Sequence, residues 1–364
     1  MYQRRLLDSV DLPVIGATLG LVLIGLLSIA SATMQQQDGR AGLWRMQLIW
    51  LMVALVACTV IYLVDYRVWA EVSLVLHAVA IVLLIVVLFF GREVGGNRSW
   101  LVLGPVRLQP SELAKWTSCL VLAVYLSRRV RGSIRLRQLI EMGLLIGAPV
   151  GLIALQPDMG TALTFVPIFL VATIIGGVRW KIIVALVIIA LLLTPVLWFQ
   201  LKDYQKERIF TVLDPSRDPS GYGYQVQQSK IAIGSGGLTG KGLFRGTQSQ
   251  LNFLPAQHTD FVLAVWAEDL GFVGVATVLG LFYYLFHRGI VAARSAQDRL
   301  GTYLCLLIVA WITGQMAINT GMVVGRLPTI GVPLPFISYG GSALITALCG
   351  VALIVNVRSR RFVN

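Results

Sequence analysis

The sequence predicts an all-α integral membrane protein: a bundle of about ten transmembrane helices with a large extracytoplasmic loop between the seventh and the eighth. Three observations carry this expectation. Of the 364 residues, 57% are apolar and only 13% charged, whereas a soluble protein usually carries about 25% charged residues. Apolar runs of about 20 residues recur along the chain, each long enough to cross a hydrocarbon core of roughly 30 Å. Basic residues gather in alternate connections between those runs. The formal net charge of +13 would suggest a nucleic-acid partner in a soluble chain. In a membrane protein Lys and Arg first report orientation, and no nucleic acid is expected.

Taken in order, the apolar segments fall at about 12–32, 44–64, 70–90, 111–127, 139–155, 159–177, 182–201, 261–286, 301–324 and 338–357. The first follows Arg4 and Arg5 and ends in SIASA, which mimics a signal peptide with a small-residue cleavage site. Its length is nearer 20 residues than the roughly 7–15 of a signal core, so it reads as an uncleaved first helix. An even number of spans puts both termini on one side. Arg4 and Arg5, the run RRVRGSIRLR, Arg179 with Lys181, the stretch 288–299 and the RSRR tail share that side, which the positive-inside rule makes cytoplasmic. The loop at about 202–259 also carries Lys and Arg, but long segments translocate largely regardless of charge. Its stretch YQVQQSKIAIG has helix-like apolar spacing, and the loop reads as folding back onto the membrane, partly re-entrant where protein shields its backbone. The segment GREVGGNRSWLVLGPVRLQPSE is likewise too long and polar for a mere turn. Residues 1–364 are read as one polytopic domain. Cys58, Cys119, Cys305 and Cys349 lie within apolar segments without CxxC spacing, as buried small hydrophobes rather than disulfide or metal partners.

The polar residues at segment ends carry the chemistry. SGGLTGKG invites a phosphate-loop reading, but Ser235 stands where the first Gly is needed and Gly242 follows the Lys. A backbone-exposing turn remains, with Lys241 and Arg245 able to touch an anionic substrate. Asp260 stands at the threshold of the eighth segment, in PAQHTDFVLAVWAE. It is read equally as a helix cap or as a proton acceptor, kept ionised by the helix dipole. Glu268, about two turns on and followed by Asp269, faces either an aqueous cavity or, preferably, a buried ion pair. His258 is a second acid–base candidate, with a hydrogen-bonding linker the plainer reading, and His77 sits mid-span in a packing role. Glu112 and Lys115, at i and i+3 with Arg107 just before, offer a cationic pocket with an internal counter-charge. Asp158, in QPDMGT, is another acid where two apolar segments meet. Ser338, Gly340 and Gly341, in SYGGS, allow close approach of a ligand or, preferably, of another helix.

The motifs PSELAK, QPDMGTAL, SKIAIGSGGLTGKG, GTQSQLNFLPAQHTDFVLAVWAEDLG and LPTIGVPLPFISYGGSAL resemble, in order and along most of the chain, those of the SEDS family. These are the polytopic shape, elongation, division and sporulation proteins of bacteria. GTQSQLNFLP and IGVPLPFISYGG are more similar to the elongation member than to the division member. The resemblance implies a peptidoglycan glycosyltransferase that polymerises lipid II at the outer face of the cytoplasmic membrane. It also implies a partner, a class B penicillin-binding transpeptidase. It makes Asp260 the essential acid and brings Arg107, Glu112 and Lys115 into the site.

Such a transfer moves a sugar from a lipid pyrophosphate to the 4-hydroxyl of another sugar. It needs a base for the hydroxyl proton, cations for the departing pyrophosphate, and a groove for polyprenyl chains. Asp260 can serve as the base. Arg107 and Lys115, with Lys241 and Arg245 as weaker candidates, can supply the positive charge. A divalent cation (Mg or Mn) between Asp260 and the pyrophosphate is left open, since no dedicated metal cluster is evident. Two other classes stay open: a lipid II flippase that uses the same groove without covalent chemistry, and a scaffold that only positions the transpeptidase.

Overall fold

The computed structural model describes residues 11–34, 42–94, 97–104, 106–130, 132–200, 203–214, 218 and 221–362. Arg4 and Arg5 lie outside them. Each of the ten apolar segments contains helix. They are α1 (Leu12–Thr33), α2 (Leu43–Leu63), the short α3 (Tyr66–Glu71) with α4 (Ser73–Phe90), α5 (Pro110–Arg129), α6 (Leu136–Leu155), α7 (Met159–Leu163) with α8 (Phe165–Ile175), and α9 (Trp180–Gln200). After the long connection come α13 (Val262–Arg294), α14 (Arg299–Val323) and α15 (Gly341–Ser359). That connection is itself helical in part, with α10 (Asp203–Leu213), α11 (Tyr222–Gly236) and α12 (Thr247–Gln250).

Among the described residues seven helices are long and apolar enough to cross a membrane: α1, α2, α4, α6, α13, α14 and α15. The exception with a clear cause is α5. It carries Glu112, Lys115, Arg128 and Arg129, and its first half is buried nearly residue for residue. It packs against α4, α6, α14 and α15, so protein rather than lipid surrounds it and its sequence need not be apolar. The sixth apolar segment is not one helix: it breaks at Thr164, whose hydroxyl donates to the Thr161 carbonyl at 2.6 Å.

Ion pairs gather at one end of the bundle. Asp11, just before α1, meets Arg288 near the end of α13 at 2.7 Å and also Arg358 at the end of α15. Asp65 meets Arg360, and Arg67 meets Asp298. The Asn356 side chain donates to the carbonyls of Ile61, Tyr62 and Val64, closing α15 onto the end of α2. The first and last described helices are thus tied together at this basic end. Cys58 of α2 is half-buried, Cys349 of α15 is buried, and both are free thiols.

The other end is built from the polar segments. Within the first of these lie the three strands of an antiparallel sheet, β1 (Arg92–Val94), β2 (Asn97–Leu103) and β3 (Val106–Leu108), in the order β1-β2-β3. Arg92 faces Trp100, and Leu101 faces Leu108. Both α4 and α15 pack against it. The stretch YQVQQSKIAIG is helical as its spacing predicts, within α11, and packs along α13.

The glycine-rich turn after α11 meets a break in α13. At Gly271 the backbone takes φ 62° and ψ −155°, a conformation an L side chain resists. The break strands backbone groups that the turn then satisfies. Lys241 and Gly242 N–H donate to the Glu268 and Asp269 carbonyls at 3.0 and 2.9 Å. Phe272 and Val273 N–H donate to the Gly237 and Leu238 carbonyls at 2.9 and 3.1 Å. SGGLTGKG is therefore a plug in a broken helix, each satisfying backbone groups that the other leaves open.

Candidate active site

Asp260 lies in a tight turn, not in the helix cap that its position suggested. Ala256, at φ 49°, offers its carbonyl to the N–H groups of Thr259, Asp260 and Phe261 at 3.1 to 3.3 Å. The capping position of α13 falls to Phe261, with no side-chain cap, and the Thr259 hydroxyl turns back to the Ala256 carbonyl. The turn is held from outside as well. Ser338 Oγ donates to the Thr259 carbonyl at 2.5 Å, and the Tyr339 N–H to the His258 carbonyl at 2.9 Å. Asn319 Nδ2, on α14, donates to the carbonyls of Asp260 and Val332 at 2.9 and 2.8 Å. The backbone of Asp260 is thereby fixed while its carboxylate, lying against Gly331, takes no hydrogen bond among the described residues.

The helix dipole does not keep this carboxyl fully ionised as expected. Burial pushes the Asp260 pKa up to about 6, against the attraction of the Arg208 guanidinium and with a smaller push from the Asp158 carboxylate. Desolvation of a charge outweighs a dipole that a broken cap geometry does not aim at it. A carboxyl that is half-buried, without a hydrogen bond among the described residues, and with its pKa raised to about 6 can hold or release a proton near neutral pH.

Asp158 is brought close. It caps α7, with Oδ1 accepting from Thr161 N–H at 3.1 Å and Oδ2 from Thr161 Oγ1 at 2.9 Å. Gln109 Nε2, just before α5, reaches Oδ2 at 3.5 Å. Burial raises the Asp158 pKa too, with the Thr161 bonds opposing it.

The cationic pocket expected of Arg107, Glu112 and Lys115 is built differently. Lys115 is 1% exposed and Glu112 2%. Lys115 Nζ donates to Glu112 Oε1 at 2.8 Å and to Gln315 Oε1 at 2.9 Å, and lies 5.6 Å from the centre of the Trp311 ring. Glu112 Oε2 accepts from Thr346 Oγ1 at 3.3 Å. The pair is sealed where α5, α14 and α15 meet, because two charges drawn out of water must satisfy each other. Arg107 is exposed on β3. Its carbonyl accepts from Ser342 Oγ at 3.3 Å, and its charge reaches Tyr339, whose phenol burial pushes up. Tyr339 in turn stands edge-on to His258 at 5.9 Å. In SYGGS the helix-packing reading holds for Gly341: a Cβ there would come 2.4 Å from the Trp50 ring of α2. Gly340 N–H donates to Gln47 Oε1 at 3.2 Å.

One cation was not singled out from the sequence. Arg208, on α10, lies over the Tyr222 ring at 4.2 Å and donates from Nη2 to the Tyr222 hydroxyl at 2.6 Å. It acts directly on Asp260 and lines a mainly apolar cleft of about 420 Å³ with Asn97, Met159, Leu163, Val166 and Ile330. In DYQKERIF it sits beside Lys206 and Glu207 and looks like one of a solvated run. The available signal was that Gln205, Arg208 and Ile209 share one helical face.

The remaining candidates form a separate group. Glu268, fully buried, accepts from Lys241 Nζ at 2.7 Å, Gln248 N–H at 2.9 Å, Thr247 Oγ1 at 3.2 Å and Ser249 N–H at 3.2 Å. This is the buried ion pair the sequence favoured, and it also holds the N-terminus of α12. Lys241 is committed to it, and Glu268 lies about 9 Å along α13 from its first residue, Val262, at 1.5 Å per residue. Asp269 accepts from Ser31 Oγ of α1 at 2.5 Å. Arg245 is exposed and makes no ion pair among the described residues. Among those residues no group of three or more His, Cys, Asp or Glu is arranged to hold a metal ion.

Residues 12–362 match the family model of FtsW, RodA and SpoVE, described as "Cell cycle protein". Peptidoglycan glycosyltransferase MrdB of Escherichia coli K12 is 39% identical over 348 residues, covering 94% of this chain and 93% of that one. Probable peptidoglycan glycosyltransferase FtsW of Coxiella burnetii is 38% identical over 360 residues, covering 96% of each. A chain of a solved complex, described as "Structural coordination of polymerization and crosslinking by a peptidoglycan synthase complex", superposes with a TM-score of 0.83 at 32% identity, covering 98% of this chain and 99% of that one. The crystal structure of rod shape determining protein RodA from Thermus thermophilus does so with a TM-score of 0.73 at 29% identity, covering 98% of both. The family match runs from the first described helix through the last, across the Asp260 turn and every element that holds it, and this chain belongs to the SEDS family of FtsW and RodA proteins.

Proposed function

We propose that this chain is a peptidoglycan glycosyltransferase that polymerises lipid II at the outer face of the bacterial cytoplasmic membrane during cell elongation, with Asp260 as general base. The observation that carries the reading is the Asp260 carboxylate: rigidly based, free of hydrogen bonds among the described residues, and beside an apolar cleft that Arg208 lines. In the transfer, Asp260 takes the proton of the acceptor 4-hydroxyl. That oxygen bonds to the anomeric carbon from the face opposite the pyrophosphate, and the carbon–oxygen bond to the leaving pyrophosphate breaks, inverting the centre. Arg208 and Arg107 supply positive charge for the departing pyrophosphate, usually the largest single catalytic contribution, and Arg245 is a more distant source. The cleft of α7, α8 and α10 takes polyprenyl chain. The Lys115–Glu112 pair braces the site from beneath, Asp158 tunes the base, and Lys241 with Glu268 holds the flanking loop.

This reading makes residues 1–364 one polytopic domain with ten spans, both termini cytoplasmic and the 202–259 connection outside. The direct tie between Asp11 and Arg358 supports the even number. The basic end then faces the cytoplasm. The partner is a class B penicillin-binding transpeptidase that crosslinks the strands, in keeping with the complex described above.

The test is polymerisation of lipid II by purified protein carrying Asp260→Asn. It should bind lipid II yet make no glycan, with a loss of at least about 10²-fold. Polymer at the wild-type rate removes Asp260 from the mechanism. Lipid II made accessible across liposomes without polymer from the wild type would instead indicate a flippase.

A further inference from the structure

The end of the bundle opposite Asp260 holds a second recess that the transfer reaction leaves unused. It is a groove of about 670 Å³ between α4, α5 and α6, within the roughly 300–1,000 Å³ of small-ligand sites. Each helix contributes one face: Leu74 and Ile81 from α4, Val121 and Arg128 from α5, Glu141 and Ala148 from α6. Each pair is separated by seven residues, so the groove runs about 10 Å along the helices. Its inner wall includes His77, whose ring is hydrogen-bonded to Thr117 Oγ1 and the Leu145 carbonyl, both at 3.1 Å, and so pins the three helices together. Charge is confined to the mouth, where Glu71, Arg128 and Arg129 are all exposed. The second acid, Glu141, is already committed on both oxygens, to Tyr125 Oη at 2.5 Å and to Arg137 Nε at 2.9 Å. Glu71 and Arg128 form no ion pair among the described residues.

An apolar slot with two guanidinium groups and one uncommitted carboxylate at its mouth matches a particular ligand chemistry. We propose that this groove binds a phospholipid whose headgroup carries both a phosphate and a primary ammonium, a phosphatidylethanolamine of the leaflet at the basic end. The phosphate sits between Arg128 and Arg129, the ammonium meets Glu71, and an acyl chain lies along Leu74, Ile81 and Val121. Basic recesses between transmembrane helices at this depth suit lipid phosphates in general. Glu71 sets the choice, because a headgroup with phosphate alone would face it with like charge.

The experiment is native mass spectrometry of the full chain in detergent, titrated with phosphatidylethanolamine or phosphatidylglycerol bearing identical acyl chains. The wild type should prefer phosphatidylethanolamine. Arg128→Ala and Arg129→Ala should each weaken both lipids by about fivefold. Glu71→Gln should weaken phosphatidylethanolamine alone by a similar factor and erase the preference. Ala148→Trp, which fills the slot, should weaken both. Equal binding of the two lipids by the wild type, or a preference that survives Glu71→Gln, overturns the proposal. So does full binding to Ala148→Trp, which would put the lipids elsewhere.

Discussion

Lys115 distinguishes a bracing role from a substrate-binding one. Its ammonium lies 2.8 Å from Glu112 Oε1, and the two side chains are 1% and 2% exposed. With an effective dielectric of about 20, two unit charges at that separation attract by roughly 6 kcal/mol, much of which offsets their desolvation. Lys115→Met leaves Glu112 buried and uncompensated, which typically costs about 3–5 kcal/mol. Glu112→Gln leaves Lys115 in the same position. The double variant removes both charges and should lose clearly less than the sum of the singles, with a coupling of about 2–3 kcal/mol. Unfolding in mixed SDS micelles measures stability, and a gel of glycan polymer measures activity on the same preparations. If the pair is a brace, the double variant also recovers much of the polymerisation that each single loses. Additive stability losses together with no recovery of activity in the double would refute this account and make Lys115 a contact for the pyrophosphate.

Other outcomes follow from the site. Polymerisation should rise with pH through about 6 and then level, because Asp260 must be deprotonated to act and burial has raised its pKa to that value; a flat profile from pH 5 to 8 would count against it as the base. Arg208→Ala removes the attraction that favours the ionised form, so the acid limb should move to higher pH, whereas Asp158→Asn removes a repulsion and should move it lower. Initial rates across pH check both signs. Gly271→Ala places a Cβ in a left-handed break, 2.5 Å from the Gly240 nitrogen, and should destabilise the protein by about 1–3 kcal/mol in the same micelle titration.

What the sequence determines and what only packing decides divide along the range of the forces involved. Membrane-spanning character was legible because hydrophobic length is a local property: each apolar run contains helix, and seven helices among the described residues are long and apolar enough to cross a membrane. The ion pair at Glu268 was legible because a carboxylate that deep in an apolar helix requires a partner. The place of Asp260, at the end of the bundle away from the Asp11, Arg288 and Arg358 cluster, agrees with the alternation of charge. Its state did not. Whether it capped α13 depended on the turn set by Ala256, Ser338 and Asn319, and its pKa on burial under residues from distant segments. Arg208 is one charge in a polar run until α10 folds beside α7, and α5 is one apolar segment among ten until four helices enclose it. The glycine turn could be read as flexible, but not as the plug of a break in a helix thirty residues away. Backbone propensity and hydropathy act over a turn or two, so one chain displays them directly. Burial, ion pairing and the convergence of acids and bases depend on which segments meet, and that is settled only when the helices pack.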